Sequence, residues 1–319
     1  MNVKISIIIP TRKFDQFTKK CIEECEKLNY ENYEIIVLPD DEINEKLNIS
    51  TKIKIIPTGK VYPSIKKNIG IKYSEGEICA FIDSDAYPDK NWLKNGVSHF
   101  LENEKIVAIG GPNLTPQDSN IYGKLSGLIL SSFIFMGKFA SRHIIYKPYF
   151  PIELPSCNLL VKKYVFDNIS YFPGEYLTGE DAYLCFKIRE NGKLIFYSPD
   201  VIVYHHRRPL FLPFLKQIFN YGRDKSLVLK KLKLKERLKK ICYYTIPSLI
   251  TIFLILFLLS FIVQYLKKIV FVLFLSYFLL ILFESIRKGK KNFLYLIIGA
   301  IGTHIFYYAG FIYGIFKKK

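Results

Sequence analysis

The sequence predicts an α/β protein with a mostly parallel sheet, followed toward the C-terminus by an apolar α-helical region. Three observations carry this. Short, continuous apolar runs bounded by turn residues alternate with stretches of helical spacing, the pattern of strands buried on both faces. Polar residues gather repeatedly just after those runs end, at Thr11 and Arg12, at Asp40 and Asp41, and at Asp83 and Asp85. Beyond residue 240 the composition turns to Ile, Leu, Phe and Tyr.

The first run, Val3 to Ile9, reads as a strand ending at the turn Pro10-Thr11-Arg12. Phe14 to Leu28 has helical spacing through Phe17, Cys21, Ile22, Cys25 and Leu28. Tyr33 to Leu38 is a second continuous strand, ending at Pro39-Asp40-Asp41, and Ile53 to Ile56 is a third. A helix through Ile65, Ile69 and Tyr73 follows. The turn residues Glu75-Gly76-Glu77 then introduce Ile78 to Ile82, which ends abruptly in Asp83-Ser84-Asp85. In open parallel sheets ligands bind beyond the C-terminal ends of the strands. Two carboxylates there suit a hard divalent cation, which takes oxygen ligands and can hold a phosphate-bearing substrate. Further on, a helix is expected from the capping-box-like Thr178-Gly179-Glu180-Asp181 to Glu190, stopping at Gly192.

The C-terminal region predicts about three membrane spans, 241–265, 269–286 and 293–316, since about 20 apolar residues cross about 30 Å of hydrocarbon. Leu125 to Gly137 is uncharged but too short to span, and is expected to be a buried or membrane-grazing helix. The first apolar run is too short for a secretory core, so the N-terminal domain is expected in the cytoplasm of a multi-pass cell-membrane protein. Basic residues between 230 and 240 and between Arg287 and Lys291 agree with a cytoplasmic side, whereas the terminal Lys317-Lys318-Lys319 does not fit three spans. The expected division is 1–208 for the catalytic-sized domain, 209–240 for basic amphipathic helices at the membrane interface, and 241–319 for the spans.

The formal net charge is +18. Nucleic acid is not expected as a partner, because the cations concentrate before the first apolar segment rather than on a recognisable binding module. Juxtamembrane Lys and Arg fit anionic lipid headgroups. The 6 cysteines follow no zinc spacing and read as small buried hydrophobes.

Six segments in order resemble family 2 glycosyltransferases. They are Ser6-Ile7-Ile8-Ile9-Pro10-Thr11-Arg12, Tyr33-Glu34-Ile35-Ile36-Val37, Lys67-Asn68-Ile69-Gly70 with Gly76-Glu77, Phe81-Ile82-Asp83-Ser84-Asp85, Thr178 to Cys185, and Val203 to Arg208. The resemblance covers roughly residues 3 to 225. It implies a GT-A fold (Rossmann-like, mostly parallel), a nucleotide-diphosphate sugar donor, Mg²⁺ or Mn²⁺, and inversion at the anomeric carbon. Two positions depart from the family's pattern. Pro39 stands where an aspartate is common, leaving Asp40 as the match, and Lys67 replaces an arginine, which keeps the charge and loses the bidentate fork.

The resemblance implies donor contacts from Pro10, Thr11, Arg12, Asp40, Lys67, Asn68, Asp83 and Ser84. It implies a metal held by Asp83, Asp85 and a histidine after the last core strand, His205 first and His206 second. A histidine beside two arginines also suits a basic surface. Asp181 is the candidate general base, although a carboxylate in a first helical turn stabilises the helix whatever it catalyses. Asn158 and Glu180 are assigned to the acceptor side, with Arg207, Arg208, Gln217 and Arg223 toward a lipid-linked acceptor and membrane lipids. The implied activity is transfer of a sugar to a lipid-linked acceptor at the cytoplasmic membrane face. A polyprenyl-phosphate sugar synthase and a non-catalytic nucleotide-sugar-binding scaffold are the alternatives.

Overall fold

A computed structural model describes residues 3–43, 50–174, 178–232, 256–257, 261 and 264–317. Two compact units are formed, one from Met1–Pro116 with Ile144–His206, the other from Gln117–His143 with Arg207–Lys319. The expected 1–208 domain is thus interrupted, with 117–143 grouped in the second unit.

The first unit is built on strands β1 (Ile5–Pro10), β2 (Tyr33–Leu38), β3 (Ile53–Ile55), β4 (Ile78–Ile82), β6 (Ile106–Gly110), β8 (Asn158–Lys162) and β9 (Leu194–Tyr197). They form one sheet in the order β3-β2-β1-β4-β8-β6-β9. All neighbours pair in parallel except β8, which runs antiparallel to both β4 and β6. Alternation of side chains across the pleat divides the core in two. Ile5, Ile7, Ile9, Ile35, Val37, Ile78, Ala80 and Ile82 pack on one face with Cys21, Ile22 and Cys25 of α1 (Gln16–Glu26). Ile8, Ile36, Leu38, Cys79 and Phe81 face the other side, with Ile71 of α2 (Pro63–Tyr73) and Leu184, Cys185 and Ile188 of α7 (Glu180–Glu190). Each fully buried large apolar side chain contributes about 1.5–3 kcal/mol.

Local chemistry sets the element ends. Asp15 caps α1 by accepting from the Phe17 and Thr18 N–H groups. The turn before β4 needs Gly76, because a Cβ there would lie 2.5 Å from the Ser6 nitrogen. Helix α7 departs from the expected Thr178 cap: its N-cap is Gly179, at φ 90°, with no side-chain cap bond. That left-handed residue turns the chain so that Glu180 and Asp181 open the helix. A smaller sheet, β5 (Ala86–Pro88), β10 (Val203–His205) and β7 (Asn113–Leu114), lies in the same unit, in the order β5-β10-β7.

The second unit contains α4 (Ile121–Leu130), α5 (Phe133–Met136), α8 (Leu212–Lys231), α9 (Gln264–Gly289) and α10 (Phe293–Phe316). Helix α3 (Trp92–Glu102) and α6 (Tyr164–Asn168) belong to the first. In the uncharged stretch from Leu125 to Gly137, Leu125, Ile129, Leu130 and Phe135 lie in one core with Phe214, Ile218 and Leu296, whereas Phe133 and Ile134 are exposed. Helix α8 falls in the stretch expected to lie at the bilayer interface. Its apolar residues Phe214, Leu215 and Ile218 pack inside the unit. A Cβ at Gly222 would also lie 1.9 Å from the Tyr307 carbonyl oxygen of α10, an approach only glycine permits. Residues 233–240 and the first expected span, 241–265, lie outside the described residues apart from 256–257, 261 and the start of α9.

One helical run among the described residues, Lys267–Phe316, is long and apolar enough to cross a membrane. A 3₁₀ turn, Lys290–Asn292, with Lys290 at φ 48°, separates α9 from α10 within it. Phe271, Phe283, Ile298 and Ile305 are exposed along it, as a lipid-facing surface requires. The described residues therefore support one candidate crossing, and the expectation of a multi-pass protein with three spans is not supported.

Candidate functional site

Strand register brings the charged residues of the first unit together. The parallel β1–β2 and β1–β4 ladders end side by side, at Pro10↔Leu38 and Ile8↔Phe81. The turn after β1, Asp40 after β2 and the Asp83–Asp85 segment after β4 therefore emerge at one end of the sheet. Antiparallel β8 starts there, with Ile82 opposite Asn158, so Asp83 and Cys157 are the next facing positions. In the small sheet His205 pairs with Ala86, which sets the histidine beside Asp85.

His205 Nε2 lies 3.1 Å from Asp85 Oδ1. One carboxylate oxygen of Asp83, Cys157 Sγ and a ring nitrogen of His205 lie within 4.8 Å of one another. Burial works against charge on His205, but the Asp85 carboxylate and Cys157 outweigh it and push its pKa up to about 10. Burial raises the Asp83 carboxyl; Lys67 and His205 oppose this, while Asp85 and Asp181 add to it. The donor set of carboxylates, imidazole and sulfur fits a divalent cation, which would add positive charge where carboxylates converge. His206, the second choice, instead packs its ring on Phe17 and Tyr87, with centroids 5.0 and 5.9 Å away.

Beside this cluster Lys67 is buried, with Nζ donating to Glu180 Oε1 at 2.7 Å and Ser156 Oγ at 2.5 Å. Burial lowers its pKa, but Glu180 and Asp83 overcome that and hold it above the usual lysine value. The other Glu180 oxygen, Oε2, is buried with no hydrogen-bond partner among the described residues. Asp181 Oδ2 accepts from the Ser156 N–H at 3.3 Å, and Oδ1 from the Ala182 N–H at 2.7 Å. Ser156 thus touches both the Lys67–Glu180 pair and the candidate base.

Lys66, which the sequence analysis did not single out, ties the ends of β1 and β2 together. Its Nζ donates to the Thr11 and Leu38 carbonyls at 2.9 and 3.1 Å and pairs with Asp40 Oδ1 at 2.6 Å. Thr11 is buried and donates to the Lys13 carbonyl at 2.8 Å, Arg12 is exposed, and Ser84 is half-buried.

Two residues expected to contact a ligand are hydrogen-bonded within the first unit. Asn158 is fully buried; Oδ1 accepts from Trp92 Nε1 at 2.8 Å, and Nδ2 donates to the Val201 and Pro112 carbonyls. Asn68 pairs through both amide atoms with the Phe172 backbone, at 2.7 and 3.1 Å. In each case the amide has backbone or indole partners within the first unit. Arg207, Arg208, Gln217 and Arg223 belong to the second unit. Arg207 Nη2 lies 3.1 Å from His143 Nδ1, Arg208 is exposed and Gln217 half-buried. Arg223 makes a bidentate pair with Asp224 at 2.6 and 2.9 Å, so its guanidinium serves an internal carboxylate.

Cys157 and Lys66 carried no signal of their own. A cysteine before an apolar strand reads as a core residue, and Lys66 shares its local composition with Lys67. Long-range pairing gives each its place.

The family described as "Glycosyl transferase family 2" matches residues 6–168. A dolichyl N-acetyl-alpha-D-glucosaminyl phosphate 3-beta-D-2,3-diacetamido-2,3-dideoxy-beta-D-glucuronosyltransferase of Methanococcus voltae is 24% identical over 250 residues, 71% of this chain and 74% of its own. Glycosyltransferase AglE of Haloferax volcanii is 25% identical over 236 residues, covering 70% of this chain and 73% of its own. Among solved structures, the mannosyltransferase PcManGT of Pyrobaculum calidifontis, in complex with GDP-Man and Mn²⁺, superposes with a TM-score of 0.61 at 14% identity. The match covers 96% of this chain and 88% of that one. That likeness shows the fold, the GT-A arrangement.

Proposed function

Because the chain belongs to glycosyl transferase family 2 and is a glycosyltransferase, we propose that it moves a sugar from a nucleotide-diphosphate donor to a lipid-linked acceptor at a membrane, with inversion. The observation that carries this reading is the gathering of Asp83, Asp85, His205 and Asp181 in one unit, with Asp181 held by the Ser156 N–H.

In the proposed reaction Asp181 takes the proton of the acceptor hydroxyl as its oxygen attacks the anomeric carbon. The bond from that carbon to the diphosphate breaks, and the electron pair leaves with the nucleoside diphosphate. A single displacement of this kind inverts the anomeric centre. The two backbone N–H contacts fix the direction of the Asp181 carboxylate, and a positioned carboxylate is what general-base catalysis requires. Glu180, held by Lys67, offers Oε2 as an acceptor for a substrate hydroxyl. Thr11, Asp40 and Lys66 stand at the ends of β1 and β2, where the nucleoside is expected. A divalent cation held by Asp83, Asp85 and His205 would supply Lewis-acid stabilisation of the departing diphosphate.

The acceptor reading is supported by the Methanococcus voltae relative, whose name specifies a sugar on dolichyl phosphate. A lipid-linked sugar is therefore favoured over the lipid phosphate itself. The apolar run Lys267–Phe316 supports a membrane location.

The experiment is incubation of the full chain with candidate nucleotide sugars, with and without extracted membrane lipid. Nucleoside diphosphate release that depends on the lipid, with sugar recovered on the lipid, is the expected result. Donor binding without lipid-dependent release would leave a scaffold.

A further inference from the structure

We infer that Cys157 is a ligand of the cation held at this end of the sheet, and that its sulfur shifts the site from Mg²⁺ toward borderline ions such as Zn²⁺ and Co²⁺. The inference deepens the metal-assisted reading above and rests on it.

The geometry comes first. The antiparallel ladder pairing Ile82 with Asn158 makes Cys157 the residue opposite Asp83 where the strands end. Cys157 Sγ, a carboxylate oxygen of Asp83 and a ring nitrogen of His205 lie within 4.8 Å of one another. Ligand atoms about 2.0–2.3 Å from a tetrahedral ion stand roughly 3.3–3.8 Å apart, so a closing of about an ångström lets all three reach one ion. Asp85 Oδ1, 3.1 Å from His205 Nε2, has the spacing of adjacent ligands on an ion with bonds of about 2.1 Å.

The neighbours of Cys157 hold it there. Ser156 is fixed through its hydroxyl by Lys67 and through its N–H by Asp181. Asn158 is fixed through its amide by Trp92, Pro112 and Val201. The backbone on both sides of the cysteine is thereby held in place. Of the other described cysteines, Cys21 Sγ lies 3.8 Å from the Asp83 carbonyl oxygen but outside the cluster of ligand atoms, Cys79 is near Ser74, and Cys185 is near the Leu154 backbone. Among the described residues, one group of three or more such ligands is found, and it contains Cys157.

Chemistry then sets the preference. Carboxylates are hard donors and serve Mg²⁺ well; imidazole suits Zn²⁺ and Co²⁺, and a thiolate is soft. On binding, the thiol gives its proton to solvent and the sulfur pair forms the bond to the cation. No electron changes hands. A sulfur ligand adds little for Mg²⁺, which demands oxygen, and much for Zn²⁺.

The test is X-ray absorption at the metal edge on full-length protein in detergent, loaded with one equivalent of Zn²⁺. The expected result is a sulfur shell at about 2.3 Å, lost in Cys157→Ser. Titration of the same variant should show Zn²⁺ affinity falling at least about tenfold, with Mg²⁺ affinity changing less than about twofold. Should Cys157→Ser not fold, alkylation of the unaltered protein mapped by mass spectrometry decides: Zn²⁺ should protect Cys157 and Mg²⁺ should not. A zinc shell of oxygen and nitrogen alone, a sulfur shell that persists in the variant, or protection confined to other cysteines would overturn the inference. Sugar transfer by the Mn²⁺-supplied enzyme is followed in parallel. Transfer that continues while sulfur ligation fails removes this inference and leaves the proposed function standing.

Discussion

Lys67 and Glu180 form a buried ion pair, 2.7 Å between Nζ and Oε1, and both side chains are almost fully shielded from solvent. Lys67 also donates to Ser156, whose N–H donates to Asp181. A helix start and a strand start are thereby joined beside the candidate catalytic carboxylates. Removing one partner of a buried pair leaves the other charge uncompensated, at about 3–5 kcal/mol.

Lys67→Met is therefore expected to lower stability by about that amount, and Lys67→Met/Glu180→Gln to recover a large part of it. Thermal or denaturant unfolding of the three proteins checks this. A double variant no more stable than the single would mean that Lys67 contributes chiefly through Ser156.

Metal dependence is expected to reside in three side chains. Asp83→Asn, Asp85→Asn and His205→Ala should each weaken divalent-cation binding, and transfer should fall at least about a hundredfold. Metal titration with a transfer assay on folded variants reads both. Normal transfer in excess chelator would remove the metal from the account.

Acid stability should depend on Glu34. It is buried; burial pushes its carboxyl up, but Lys54, Ser6 and the Glu75 N–H outweigh this and hold it below the ordinary value of 4.5. A carboxyl lowered in the folded state stabilises fully above the unfolded value, and that contribution is lost as pH falls through the folded value. Melting temperature should thus drop below about pH 4.5 in the unaltered protein, with a shallower acid limb in Glu34→Gln. Equal acid limbs would assign the pH dependence to other carboxylates.

Much of this was legible in the sequence wherever local pattern and long-range structure agree. The strands ending at Pro10, Leu38 and Ile82 were readable because each is a continuous apolar run closed by polar or turn residues. Their parallel pairing then sends Thr11, Asp40 and Asp83 to one sheet end. The antiparallel insertion of β8 was not readable, since an apolar run carries no direction; it puts Cys157 opposite Asp83. Asn68 and Asn158 have amides that serve a sugar or a backbone equally well, and distant backbone and indole groups claimed them. The grouping of Gln117–His143 with the C-terminal helices had no local signature either. Nothing in the basic, apolar stretch of α8 indicated that α10 would pack against it.

The most direct measurement is single-turnover transfer of labelled sugar to the lipid acceptor by the unaltered enzyme and by Asp181→Asn, at saturating donor and with donor affinity measured separately. Asn keeps the side chain's size and one accepting oxygen, so donor affinity should change less than about twofold and stability by less than about 1 kcal/mol. The account predicts a transfer rate lower by about 10²–10⁴ in Asp181→Asn, the typical effect of losing a general base. An Asp181→Asn enzyme that transfers at the unaltered rate would contradict it, and would leave Asp181 as the residue that opens a helix.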